Sequence, residues 1–168
     1  MKGIVDHCGI SGHVHAIAHH EDGTVYYEKE HDFNAGEHNT ITELYDAMLA
    51  NLVCDTPTRS TATLLYGHAG TGTGETSAST NLATACGEAR TAITSGTQGT
   101  AGDDNDVVVV FTLGAGVCTA TLTECGLFPT SNQATGDMFT YDDVVLNSVP
   151  KGATDTVTLT WTIHHGAS

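Results

Sequence analysis

The sequence predicts a mainly β protein: an antiparallel β-sandwich-like domain with one amphipathic helix and an N-terminal β-hairpin arm. Three observations carry that prediction. Thr156–Ile163 alternates without a fault, placing Val157, Leu159, Trp161 and Ile163 on one face and threonines on the other, the period-two signature of a half-buried strand. Val107–Leu113 is a run of β-branched residues around Phe111 and reads as a central buried strand. Several further short β-prone runs are separated by stretches rich in Gly, Thr and Ser, the pattern of many strands joined by turns.

The elements follow in chain order. His13–His20 alternates imperfectly, meets Glu21-Asp22-Gly23 and resumes in Thr24–Lys29; two β-prone runs about an Asp-Gly pair form a hairpin. This predicts an arm over residues 1–36 and a sandwich domain over 37–168. Within the second unit, Ile41, Leu44, Tyr45, Met48, Leu49, Leu52 and Val53 recur at three- and four-residue spacing. With Asn39 or Thr40 as cap, Glu43 close behind and Pro57 beyond the end, they predict a helix near 40–54. Ala62–Tyr66 reads as a strand, Gly67–Glu75 and Gly96–Asp106 as loops, and Val117–Thr123 alternates moderately. Glu124–Pro129 reads as a strand ending in a turn, with Gly126 free to take a positive φ. The large apolar residues expected in the core or at an interface are Trp161, Phe128, Leu127, Phe111 and Leu159.

Composition narrows the function. Twenty Asp and Glu face 5 Lys and Arg, for a net charge of −15 in 168 residues. Such a surface repels phosphate backbones and anionic lipid, so neither nucleic acid nor membrane is expected as a partner. No apolar run approaches 18 residues and the first residues show no apolar signal core, which disfavours a membrane protein or one secreted by a signal peptide. The five cysteines, Cys8, Cys54, Cys86, Cys118 and Cys125, form no CxxC pair and read as reduced, mostly buried thiols. Cys118 and Cys125 could lie on adjacent strand segments and oxidise, and the odd count permits a bridge between subunits.

The chemistry-bearing motifs are sparse. His13 and His15 form an HxH that points both rings to one side of a strand, with His19 and His20 nearby. Imidazole suits several transition metals, but two ligands are too few unless symmetry supplies more. The alternative is a set of solvated hairpin histidines, with His164-His165 as an exposed tail. Gly70-Thr71-Gly72-Thr73-Gly74 lacks the Lys-Ser/Thr of a phosphate loop. Asp103-Asp104 and Asp142-Asp143 read as loop carboxylates in a solvated or ion-attracting role, Asp103–Asp106 has a calcium-like density of oxygens without the Gly and distal Glu of an EF-hand, and no GxSxG is present. No catalytic residue, enzyme activity or cofactor is expected.

Taken in order, the segments carry a resemblance. Asn39-Thr40-Ile41 is followed by Leu64–Gly67, Gly70–Thr73, Asn81-Leu82 and Glu88-Ala89-Arg90; then come Leu122–Phe128, Gly136–Tyr141 and Thr156–Ile163. This order, over roughly residues 31–163, resembles a family of small virion structural proteins of tailed bacteriophages, of the tail, neck, fibre-associated or head-decoration type. Cys125 stands where that pattern more often has Ala or Val. The resemblance implies a non-enzymatic protein of the virion, assembled in the host cytoplasm as symmetric copies in the tail or neck or on the capsid. Its partners would be further copies and other virion proteins; the histidine-rich start lies outside the resemblance, and the hairpin separately suggests that residues 3–33 dock onto an adjacent subunit. The alternative is a receptor- or carbohydrate-binding module using Tyr26, Tyr27, Tyr66 and Tyr141 as stacking residues.

Overall fold

The structure is a computed structural model that describes residues 10–33, 39–42, 65–76, 78–98, 106–135 and 137–165. Its strands are β1 (Ile10–His19), β2 (Val25–Phe33), β3 (Asn39–Ile41), β4 (Tyr66–Gly70), β5 (Thr91–Ala92) and β6 (Ser95–Gln98). They continue as β7 (Asp106–Leu113), β8 (Thr121–Leu122), β9 (Glu124–Phe128), β10 (Thr140–Asp142), β11 (Val149–Pro150) and β12 (Thr156–His165).

The first sheet has the order β2-β1-β12-β7-β6 and every neighbouring pair is antiparallel. Its first turn is built locally. Gly23 takes a φ of 83°, and the Asp22 carboxylate accepts hydrogen bonds from Thr24 N (2.9 Å) and Thr24 Oγ1 (2.6 Å), an arrangement Asp and Gly favour. β1 then pairs with β12 from Ile10↔His165 to His19↔Thr156. Alternation turns Val14, Ala16 and Ala18 inward beside Val157, Leu159, Trp161 and Ile163, and beside Val109, Phe111 and Leu113, each at most 1% exposed. The hairpin expected as an arm thus forms two strands of this sheet and contributes to its core.

The second sheet has the order β3-β10-β9-β4-β5, and β8 pairs with β11 in a separate ribbon. Ala69, Cys125 and Leu127 from this sheet join the inward residues of the first in one apolar cluster, the body of a sandwich-like arrangement. Burying each large aliphatic or aromatic side chain of that cluster is worth about 1.5–3 kcal/mol. At one corner the chain steps between sheets within two residues. Ile93 N donates to Leu65 O (2.9 Å) and Thr94 N to Val110 O (2.8 Å), so neighbouring amides are satisfied by different layers.

The opposite face of the second sheet is also covered. Phe128 and Tyr141 meet Leu82 and Met138 there in a second buried cluster. Covered on both sides, β9 is buried at every residue from Glu124 to Phe128, which is why its sequence does not alternate.

Several sequence expectations are corrected. The described residues contain no helix. Asn39–Ile41, read as the cap and start of one, forms β3 and pairs with β10 from Thr140↔Ile41 to Asp142↔Asn39; an available strand edge outweighs a local capping preference. Thr42 follows without helical structure, its amide on Phe139 O (3.0 Å), and residues 43–54 of the predicted helix lie outside the described residues. Gly67–Gly70, read as loop, is strand, because its glycines admit groups from other strands (below). Gly96–Gln98, read as the start of a loop, belongs to β6 (Ser95–Gln98) on the edge of the first sheet. Gly126 does not take a positive φ; it lacks a side chain because Thr140 O and Met138 Sδ approach its α-carbon, 2.9 and 3.1 Å from where a β-carbon would stand. His164 and His165, read as an exposed tail, complete β12 and are partly buried.

Candidate functional site

The histidines of β1 lie on the outward face of the first sheet. His13, His15 and Ile17 stand opposite Asp32, Glu30 and Glu28 of β2 on one side. On the other side they face Thr162, Thr160 and Thr158 of β12, beyond which β7 adds Val108, Val110 and Thr112. The face is therefore a row of carboxylates, a row of histidines, and a wide field of threonine and valine. His15 Nε2 lies 3.1 Å from Glu28 Oε1. The His13 ring is 6.2 Å from that of His164, whose Nδ1 bonds Asp106 Oδ1. Among the described residues, neither His13 nor His15 belongs to a set of three donor residues close enough to share an ion.

The described basic residues are used internally. Lys29 Nζ donates to Val144 O (2.8 Å) and Lys151 Nζ to Gly114 O (2.9 Å), while the Arg90 guanidinium is fully buried. The carboxylates Glu28, Glu30 and Asp32 along β2 stay exposed. Other carboxylates are inside. Asp142, read from sequence as solvated, is fully buried. It accepts from Val144 N (2.7 Å) and Val145 N (2.6 Å) and pairs with His31 Nδ1 at 2.6 Å. Tyr27 OH donates to Val145 O at 2.6 Å, so Tyr27, Lys29 and His31 of β2 together fasten the 142–145 turn. Of the other tyrosines, Tyr141 is buried with its hydroxyl on Glu75 O (2.7 Å), and Tyr26 stacks on His20 at 4.3 Å. The core candidates Trp161, Phe111, Leu159, Leu127 and Phe128 are each 0% exposed.

A second cluster was not visible as a motif. Cys86 follows an isolated bridge between Gly70 and Ala85, and its amide donates to Ala69 O at 3.1 Å. Cys118 follows the Gly114–Val117 turn with a φ of 50°, and its Sγ lies 3.8 Å from the same carbonyl. The two sulfurs thus meet over Ala69. A hydrogen bond from Cys118 holds the Cys86 thiol below its ordinary range. The same bond, together with burial, pushes Cys118 up. The Glu88 carboxylate joins them, and the three donor atoms lie within 4.8 Å of one another.

Lys151 is 2% exposed; burial lowers its pKa, opposed by the charges of Cys118, Asp155, Cys86 and Glu88. Beside it a shallow depression of about 370 Å³ runs between Thr119–Thr121 and Pro150–Gly152. Cys125 takes no part. Its thiol is fully buried and pushed well up by that burial, with Sγ 3.6 Å from Asp142 O. Cys86, Cys118 and Cys125 are free thiols, as the reduced reading expects; Cys118 and Cys125, the pair that could oxidise, are not bridged, and the thiol neighbour of Cys118 is Cys86.

No protein-family model, curated protein or solved structure matches this chain. The histidine pair was legible from its HxH spacing, which fixes a shared face of a strand. The thiol cluster was not, because 32 positions separate Cys86 from Cys118 (118 − 86). The one local signal was the Cys-x-Glu spacing of Cys86 and Glu88.

Proposed function

We propose that this chain is a non-enzymatic structural protein that works as symmetric copies, and that its setting is the virion of a tailed bacteriophage, in the tail or neck or on the capsid. The order of motifs from Asn39 to Ile163 supports the virion setting. The outward face of the first sheet carries the assembly reading.

That face holds half-buried Ile17, Val108 and Val110 among threonines, next to a histidine row and an exposed carboxylate row. In a strongly acidic chain this is a broad surface whose centre has no fixed charge. A second copy packed face to face across a two-fold axis covers this uncharged centre with the same centre of its partner, an isologous and self-complementary contact. Threonine hydroxyls supply hydrogen bonds across it without burying charge.

Native mass spectrometry and light scattering of the full chain test the reading. A defined oligomer is expected for the wild type, and monomers for the outward-facing variant Val110→Glu/Thr160→Glu with an unchanged circular dichroism spectrum. A wild-type monomer at high concentration, or an oligomer indifferent to both substitutions, removes the proposal.

A further inference from the structure

We propose that Cys86, Glu88 and Cys118 form a binding site for a divalent cation of the zinc type. The inference rests on the convergence of three donors and is independent of the assembly reading. Cys86 Sγ, Cys118 Sγ and a Glu88 carboxylate oxygen lie within 4.8 Å of one another. In a tetrahedral site, zinc–sulfur bonds of about 2.3 Å and zinc–oxygen bonds of about 2.0–2.2 Å put neighbouring ligand atoms roughly 3.5–3.8 Å apart. Small side-chain rotations bring the three donors to that spacing.

The backbone holds the donors in place. The Gly70–Ala85 bridge and the Cys86 amide on Ala69 O fix one segment. Gly116 N on Ala153 O (2.7 Å) and Lys151 Nζ on Gly114 O (2.9 Å) fix the other. Cys118 itself sits at a φ of 50°, a backbone conformation that costs a non-glycine residue energy and points to a constraint on where its side chain goes.

Charge and ligand chemistry select the ion. Two thiolates and one carboxylate carry three negative charges, which a dication and the neighbouring Lys151 ammonium neutralise. Thiolate donors favour zinc over calcium and magnesium, which take oxygen ligands. Glu88 is exposed, so the site opens to solvent on its side and water takes the fourth position. The bound ion would tie the segment after β4 to the turn after β7.

The test uses the full reduced chain, titrated with zinc in competition with a chromophoric chelator and, separately, with cobalt(II). One ion per chain and a thiolate-to-cobalt charge-transfer band are expected. Cys86→Ser and Cys118→Ser each weaken binding by at least about tenfold, as loss of a direct ligand requires, and Glu88→Gln weakens it less. Absence of the charge-transfer band in the wild type overturns the site without recourse to any variant, so a variant that fails to fold leaves the test intact. So does zinc affinity that survives in the folded Cys86→Ser/Cys118→Ser protein. A thiol count showing Cys86 and Cys118 joined as a disulfide, with no metal bound after reduction, also overturns it and marks the pair as redox-active instead.

Discussion

Gly67 of the second sheet lies so close beneath Phe111 of the first that a β-carbon at position 67 would overlap the aromatic ring. The glycine sets the separation of the two sheets at their centre, since the Phe111 ring is also stacked against Trp161 at 6.1 Å and has no free space to enter. Gly67→Ala is expected to cost about 1–3 kcal/mol, the usual range for overpacking a close-packed core. Gly114→Ala meets nothing within 4 Å and should change stability by less than about 0.5 kcal/mol. Urea unfolding of both variants checks this; equal midpoints would remove Gly67 as the spacer.

Glu124 is the buried anchor of the segment after β4. Its carboxylate is 0% exposed and accepts from Gly72 N (2.8 Å), Ala83 N (2.9 Å) and Thr84 N (2.8 Å). Gly70 and Gly72 lack side chains where that carboxylate passes. Glu124→Ala removes the acceptor of the Gly72 and Thr84 amides, while Ala83 N keeps Glu75 Oε1 (2.9 Å), and is expected to cost about 1–3 kcal/mol. Hydrogen exchange at residues 72 and 84 should speed up together. Protection retained at those amides would refute the anchoring role.

Arg90 does the same for the segment that covers the second sheet. Its guanidinium lies 3.6 Å from the Phe128 ring centre, pairs with Asp137 at 2.7 Å, and donates to Thr130 O (3.0 Å) and Thr135 O (3.2 Å). Lysine can neither stack as a plane nor fork between acceptors. Arg90→Lys should therefore lose about 1–3 kcal/mol and expose the 130–135 turn to proteolysis. A thermal midpoint like that of the wild type would show that charge alone suffices.

Tyr26 and Asp155 give stability at opposite ends of the pH scale. Burial, then the nearby Asp155 charge, raises the Tyr26 phenol to about 12 from an ordinary value of 10.0. A raised folded value means that this contribution is complete below pH 10 and is lost as pH rises toward 12. Phenolate absorbance of the wild type should show a late step that Tyr26→Phe lacks. Asp155 is held below its ordinary 3.8 chiefly by the Gly152 amide and then by His20. Its contribution is present above pH 3.8 and is lost as pH falls further, so Asp155→Asn should flatten the acid limb of the urea midpoint. An acid limb as steep as that of the wild type would assign acid unfolding to other carboxylates.

The strands most legible in the sequence are those with one solvated face. Thr156–Ile163 and the turn at Asp22-Gly23 were readable because alternation and turn chemistry are local and survive whatever the rest of the chain does. Gly67–Gly70 was not, since it carries no β-branched residue and its glycines make sense only against Phe111 and Glu124. The histidine face was half legible: spacing gave a common side for His13 and His15, while Glu28, Asp106 and His164 came from register.

By itself, then, the sequence determined the acidic balance, the hairpin and the amphipathic strands, all properties of residues a few positions apart. Only the tertiary structure decided that Asn39–Ile41 pairs as a strand, that Glu124 and Asp142 are buried acceptors, and that Cys86 meets Cys118 beside Glu88. The physical reason is range. Side-chain periodicity specifies which face of a strand is apolar, but which strand lies beside it is settled by pairing, packing and buried hydrogen bonds between residues far apart in the chain.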